Sequence, residues 1–202
     1  MRTSKSKGHD QLYNSKCGSG SEVRLADSLD AESEPLNHYT WTVLTQLEQA
    51  GTDLMTMVPA YDDQNIFAKI LRGELPCFKV YENTHTFAFL DIMPRTPGHT
   101  LVIPKAPARG ILDISADDLA EVARTSKTIA VAAMKAFDAE GIIIQQFSEA
   151  VSGQVVFHLH MHVMPMKSGV ALLPPQSRQE DAKVLQDHAA RLIAALGSSH
   201  EL

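Results

Sequence analysis

The run Phe157-His158-Leu159-His160-Met161-His162-Val163 spaces three imidazoles two residues apart in otherwise apolar sequence. Successive side chains of a strand point to opposite faces. Read as a strand, the run shows His158, His160 and His162 on one side and Leu159, Met161 and Val163 on the other. The apolar side can pack against a helix, and the imidazole side is equipped for chemistry. With an ordinary pKa of about 6.5, histidine donates, accepts, ligates metal or attacks an electrophile at neutral pH. Crowded imidazoles discourage one another's protonation, which keeps at least one neutral and nucleophilic. A purely structural trio is poorly explained, because each ring would need partners inside an apolar sheet.

Two chemistries fit this spacing. A His-x-His pair on a strand with a third histidine can hold an open zinc site. A histidine can also attack phosphorus covalently. Spacing alone leaves the two near even. The residues leading into the run, Ser152-Gly153-Gln154, favour phosphate. Glycine lets backbone N–H groups turn toward an anion, and Gln154 adds a neutral donor.

These side chains need a scaffold. From Tyr61 the apolar spacing tightens. Asp62 or Asp63 caps a helix carrying Ile66, Phe67, Ile70 and Leu71, closed by Gly73 and kept from resuming by Pro76. FKVYE (78–82) and TFAFLDI (86–92) read as strands joined at Asn83-Thr84, and HTLVIP (99–104) as a third. Ser115 opens a long helix, with Asp118 as an acidic variant of the capping box. Leu119, Val122, Ile129, Ala133, Met134 and Phe137 keep its spacing to about Ala139, and Gly141 ends it. GIIIQQF (141–147) is the fourth strand, EAVSGQ (149–154) a loop, and VVFHLHMHVM (155–164) the fifth strand, stopped by Pro165. Residues 179–196 form a terminal amphipathic helix. The connection within 78–92 is too short for a parallel crossover. The expectation is an α+β fold: a mainly antiparallel five-stranded sheet with a long helix packed on it.

Composition bounds the function. The chain has 202 residues, 44% of them apolar, and a net charge of −6 with no densely basic segment. One ordinary core is expected, and nucleic-acid binding through phosphate neutralisation is not. No apolar run approaches the roughly 18 residues of a membrane span. Cys17 and Cys77 stand far apart, which suggests a reducing compartment, the cytoplasm, rather than a disulfide framework. No secretory signal is expected, and the early Asp10, Glu22 and Asp27 argue against a transit peptide. Residues 1–57 are rich in Ser, Gly and charge and read as a disordered or weakly helical extension, with one short helix over 36–50. Met55 or Met57 is an alternative translation start. The domain is expected over 58–168 and a helix-bearing tail over 169–202.

GQVVFHLHMHVMP, together with IFAKILRGELP (66–76), VYEN (80–83) and FAFLDIMPRTPGHTLVIPK (87–105), resembles the histidine triad (HIT) superfamily. The likeness runs from about Tyr61 to Met166. It is greatest to the Hint-like nucleoside phosphoramidases and their bacterial relatives, among them dinucleoside polyphosphate hydrolases. The resemblance implies that His160 attacks the α-phosphorus of a purine nucleotide or nucleotide conjugate. A nucleotidyl-histidine forms, and water releases the nucleoside monophosphate. It implies that His162 contacts the phosphate, that His158 orients His160 through a ring nitrogen, and that His99 stands beside the triad. The resemblance also implies that Asp91 holds the ribose hydroxyls, that Ile66, Phe67, Ile70, Leu75, Phe89 and Leu101 line the base pocket, and that Gln154, Gly153 and a weaker contact from Ser148 sit at the phosphate. It further implies a homodimer and no required cofactor.

The chain departs from that pattern in three places. Val155 stands where many relatives have Ser or Thr, and Phe147-Ser148 where an asparagine is common. Asn65 and Ala68 replace cysteines that hold a structural zinc in some relatives, so no metal is expected. Two other functions stay open on the residues: a His-ligated metal hydrolase, and a nucleotide-binding module with little catalysis.

Overall fold

The computed structural model describes residues 59–197. The extension 1–57, its helix over 36–50 and the starts at Met55 and Met57 lie outside them.

Helix α1 spans Ile66–Leu71. Its cap is Asn65, whose Oδ1 accepts from the Phe67 and Ala68 N–H groups at 3.0 Å. Neither expected cap, Asp62 or Asp63, serves: Asp62 Oδ1 takes the Gln64 N–H and Asp63 Oδ1 the Gln64 side-chain amide. Gly73, at φ +75°, ends the helix. Its N–H donates to the Ile70 carbonyl, and Glu74 N–H donates to that of Lys69. This double bond pattern needs the left-handed residue that glycine supplies without strain.

Strands β1 (Lys79–Glu82) and β2 (Thr86–Leu90) form a hairpin. Asn83 Oδ1 organises the turn by accepting from His85 N, Thr86 N and Thr86 Oγ1. Strand β3 (Thr100–Pro104), helix α2 (Ala116–Ala136), strands β4 (Gly141–Gln146) and β5 (Met161–Met166), and helix α3 (Ala182–Gly197) follow. The sheet order is β1-β2-β3-β5-β4, antiparallel throughout.

Alternation along the strands divides the interior between two faces. Ala88, Leu90, Val102 and Val163 join Val122 and Ile129 of α2 and Leu185 and Leu192 of α3. Phe87, Phe89, Leu101 and Ile103 meet Phe67 of α1 on the other face. The apolar set Leu159, Met161 and Val163 indeed packs with the helices.

Several boundaries differ from expectation. Strand β5 begins at Met161, so His158 and His160 precede it and only His162 of the trio lies in the ladder. The strand also continues through Pro165, which faces Ile142. Met166 takes the Glu140 N–H on the β4 side. Proline's missing N–H therefore turns to the other side, beyond the end of β3, where no ladder bond is lost. Helix α2 ends before Gly141, because Asp138 adopts φ +49° and Gly141 already belongs to β4. Met134 faces outward rather than into the core. The amphipathic helix expected near the C-terminus is α3, and its Leu185, Ala189 and Leu192 are buried in the same core as α2. Truncating Leu192 to alanine there would cost about 2–5 kcal/mol through the cavity left behind.

Candidate active site

One row of cross-strand partners, Phe89, Leu101, His162 and Gln145, crosses the α1 face of the sheet. Above it lies a cavity of about 560 Å³, within the usual range for a small-molecule site. Its apolar end is made by Ile66, Phe67, Ile70, Leu75, Phe89 and Leu101. Its polar end gathers Asp91, Arg95, His99, His160 and His162, and Gly153 borders it.

Hydrogen bonds fix the ring tautomers. His160 Nδ1 lies 2.7 Å from the backbone carbonyl of His158. A carbonyl only accepts, so Nδ1 carries the proton and Nε2 of the neutral ring keeps its lone pair. His99 Nδ1 accepts the Arg95 N–H at 3.2 Å, which puts its proton on Nε2. That nitrogen is 2.9 Å from His162 Nδ1. His162 therefore accepts there and carries its own proton on Nε2. The site offers one bare nitrogen on His160 and one N–H on His162. Phe67 packs edge-on to His160 at 5.2 Å and Phe147 edge-on to His162 at 5.6 Å, which holds both ring planes.

Burial keeps these rings neutral. It is the main cause that pushes His99 and His162 down to about 3 and His158 to about 4. Arg95 adds to the effect on His99 and His162. Burial also lowers His160, opposed by its bond to the His158 carbonyl and by Asp91. Asp91 is itself raised by burial. Its Oδ2 lies 3.5 Å from His99 Nδ1. That spacing suits an ion pair, but His99 is held neutral and the same nitrogen is occupied by the Arg95 N–H. Asp91 Oδ1 accepts the Met93 N–H, so it also shapes the turn after β2.

Three expected residues stand elsewhere. The ring of His158 does not orient His160. It is fully buried, with Nε2 donating to the Pro104 carbonyl at 3.0 Å and Nδ1 accepting from Tyr61 Oη at 2.6 Å. Gln154 does not face the cavity. Its amide donates to the Arg109 and Val156 carbonyls and accepts the Glu149 N–H. Ser148 Oγ is likewise taken up within the loop by Ile111 N and Gln146 Nε2. The expected anion nest is also engaged: Ser152 and Gln154 N–H groups donate to Glu149 and that of Gly153 to Ala150. These bonds close a 3₁₀ turn, Ala150–Ser152, that the loop was not expected to hold.

Arg109, which carries no periodic signal, organises that loop. Its guanidinium grips both Glu149 oxygens at 2.7 and 2.9 Å and lies 3.9 Å from the Phe157 ring centroid. Glu149 sits at φ +70°, ψ 157°, a strained conformation for a side-chain-bearing residue. Arg109 and Gln154 together hold it there. Arg95 and Tyr61 are likewise single polar residues in loops, which carry no periodic signal.

Asp91, His99 and His162 offer ligand atoms within 4.8 Å of one another. However, both ring nitrogens of His99 are engaged, Nδ1 by the Arg95 N–H and Nε2 with His162 Nδ1, so in this tautomer His99 has no free lone pair for an ion. Asn65 is occupied in capping α1.

The HIT domain profile matches residues 72–169. A HIT-like protein of Saccharolobus solfataricus is 41% identical over 100 residues, 50% of this chain and 72% of that protein. The adenylylsulfatase HINT3 of Arabidopsis thaliana is 30% identical over 131 residues, 65% of this chain and 66% of its own. A crystal structure of a Hit-like protein from Bartonella henselae superposes with a TM-score of 0.65 at 45% identity, covering 68% of this chain and 99% of that one.

Proposed function

The chain belongs to the HIT family, and on that premise we propose that it is a nucleotide hydrolase acting through a nucleotidyl-histidine on His160. Its substrates are nucleoside phosphoramidates, adenylylated adducts or dinucleoside polyphosphates, cleaved at the α-phosphate. The observation that carries this reading is the bond from His160 Nδ1 to the His158 carbonyl, which leaves Nε2 unprotonated. The adenylylsulfatase relative supports chemistry at an adenylyl phosphorus.

In this reading a purine base enters the apolar end, Asp91 takes the ribose hydroxyls, and His162 Nε2–H donates to the α-phosphate. His160 Nε2 attacks phosphorus. The bond to the leaving group breaks and its electron pair departs with that group. The ring, now substituted on Nε2 and protonated on Nδ1, keeps its bond to the His158 carbonyl. Water then displaces the histidine, releasing the nucleoside monophosphate and a proton. His99 positions His162, and the backbone of His158 positions His160.

Acid quenching during turnover, followed by peptide mapping, tests the reading. The nucleotide is expected on His160. His160→Ala should abolish turnover and still bind nucleoside monophosphate, and full activity in that variant overturns the assignment. A binding module with little catalysis is the second reading, favoured by apolar Val155 and Phe147 on the cavity wall. Tight monophosphate binding without turnover on any substrate class would select it.

The reaction needs no cofactor on this proposal, so turnover should survive chelator. A homodimer is proposed through β4, an edge strand whose Ile144 is 50% exposed, and the neighbouring face of α2 with Val131. Sedimentation equilibrium checks it. The cytoplasm is proposed from the free Cys77, and fractionation of native cells tests that.

A further inference from the structure

On the reading that His160 attacks an α-phosphate, we propose that Arg95 binds an anionic leaving group. The preferred substrates are then nucleotides whose α-phosphorus carries a phosphate or sulfate rather than an amine.

Arg95 lines the polar end of the cavity, yet all its side-chain partners are neutral. Nε donates to the Leu173 carbonyl at 2.8 Å and Nη1 to Gln145 Oε1 at 3.0 Å. Among the described residues, Nη2 donates to nothing and no carboxylate pairs with the guanidinium. A partly buried cation without a counter-charge, facing a cavity, is an anion site in waiting. Its placement is tied to the triad from two sides. The backbone N–H of Arg95 bonds His99, and Gln145, which holds its side chain, is the cross-strand partner of His162.

The arm is also pre-organised. Leu173 N–H returns to the Arg95 carbonyl at 2.8 Å, so the segment after β5 grips Arg95 by backbone and side chain. Leu173 lies beyond the stretch matched by the family profile, and the following Pro175 and Gln176 wall the same cavity. Fixed donors aimed at developing charge are what stabilises a transition state.

The chemistry of departure points the same way. An amine leaves phosphorus readily only if it is protonated, whereas phosphate and sulfate leave as stable anions. This site is poor in acids: burial holds His99 and His162 at about 3, and Val155 and Phe147 add no hydroxyl or amide to the wall. In the proposed step His160 Nε2 forms a P–N bond and the P–O bond to phosphate or sulfate breaks. The electron pair stays on the departing oxygen, and the Arg95 guanidinium meets that charge. Water then cleaves the P–N bond.

The test compares AMP with ADP by calorimetry on the non-hydrolysing His160→Ala protein. ADP should bind about 10- to 100-fold tighter, the span expected for a hydrogen bond to a charged group. Arg95→Gln in that background should remove the difference, and Arg95→Lys should keep part of it. In parallel, kcat/KM is measured for adenosine 5′-phosphosulfate and adenosine 5′-phosphoramidate. Arg95→Gln should lower the sulfate-to-amidate ratio by a similar factor. Equal affinity for AMP and ADP in His160→Ala overturns the proposal, and needs no Arg95 variant to fold. A preference surviving Arg95→Gln, or an unchanged substrate ratio, also overturns it. If no substrate is turned over but the ADP preference depends on Arg95, the anion site stands and the reading of His160 fails.

Discussion

The ring of His160 is aimed by the backbone of its neighbour: Nδ1 stands 2.7 Å from the carbonyl oxygen of His158. The side chain of His158 serves a different purpose. It pins that carbonyl by joining Pro104 on one side to Tyr61 on the other.

Tyr61→Phe should therefore act through stability before chemistry. It leaves the buried Nδ1 of His158 without a donor, which costs about 1–3 kcal/mol. A lower urea midpoint with unchanged slope is the expected result. An unchanged midpoint would show that the 2.6 Å contact is not formed in solution.

Stability and activity should both weaken in acid. Unfolded histidines take up protons near pH 6.5, but folded His158 does so only near 4, and His99 and His162 near 3. Between those limits the unfolded chain binds more protons, so unfolding free energy rises with pH and is lost as pH falls. Each group contributes a slope of at most about 1.4 kcal/mol per pH unit. Because His160 is also lowered, kcat/KM should show no acid limb above pH 6.5. Denaturant titrations at several pH values check the first point and a pH–rate profile the second.

Gln154→Met separates loop support from phosphate contact. The residue is only 3% exposed and its amide serves three backbone groups. Losing it should cost about 1–3 kcal/mol for the partners left unsatisfied. Unchanged thermal stability with weakened nucleotide binding would return Gln154 to the phosphate.

Gly98→Ala should be strongly destabilising. The glycine sits at φ +80°, and a Cβ there would lie 2.2 Å from Phe137 Cε2. Left-handed strain and overpacking each cost about 1–3 kcal/mol. A melting temperature within a degree of the parent would refute the close packing of this turn on Phe137.

Val155→Thr should speed phosphoramidate cleavage. Val155 is 63% exposed on the cavity wall, so a hydroxyl of the same shape fits without a desolvation penalty. Positioned donors for transition-state charge are worth about 10²–10³ in kcat where fully enclosed, and a gain of roughly tenfold is expected at this exposed position. No gain would mean that residue 155 does not reach the reacting atoms.

Pattern made much of the protein legible. Apolar runs bounded by turn residues placed β2 and β3, and capping chemistry placed the start of α2 at Ser115, whose Oγ accepts the Asp118 N–H. Alternation misled at the triad. Residues 155–160 alternate like a strand, yet the chain there turns through the loop that Arg109 and Glu149 clamp. A polar residue's periodicity says nothing of which nitrogen it offers. A lone arginine in a proline-rich loop has no periodicity at all.

By itself the sequence determined the fold class, which follows from local spacing, and its resemblance to the HIT family pointed to the apolar lining from α1, β2 and β3 and to His99 beside His160 and His162. Only the tertiary structure decided the proton positions, the burial that keeps the rings neutral, and the turning of Gln154 away from and Arg95 toward the cavity. The orientations of Gln154 and Arg95 depend on partners 45 and 78 residues distant in the chain, and the His99–His162 bond spans 63. The His160 proton is fixed by a carbonyl only two residues away, whose direction the surrounding fold sets.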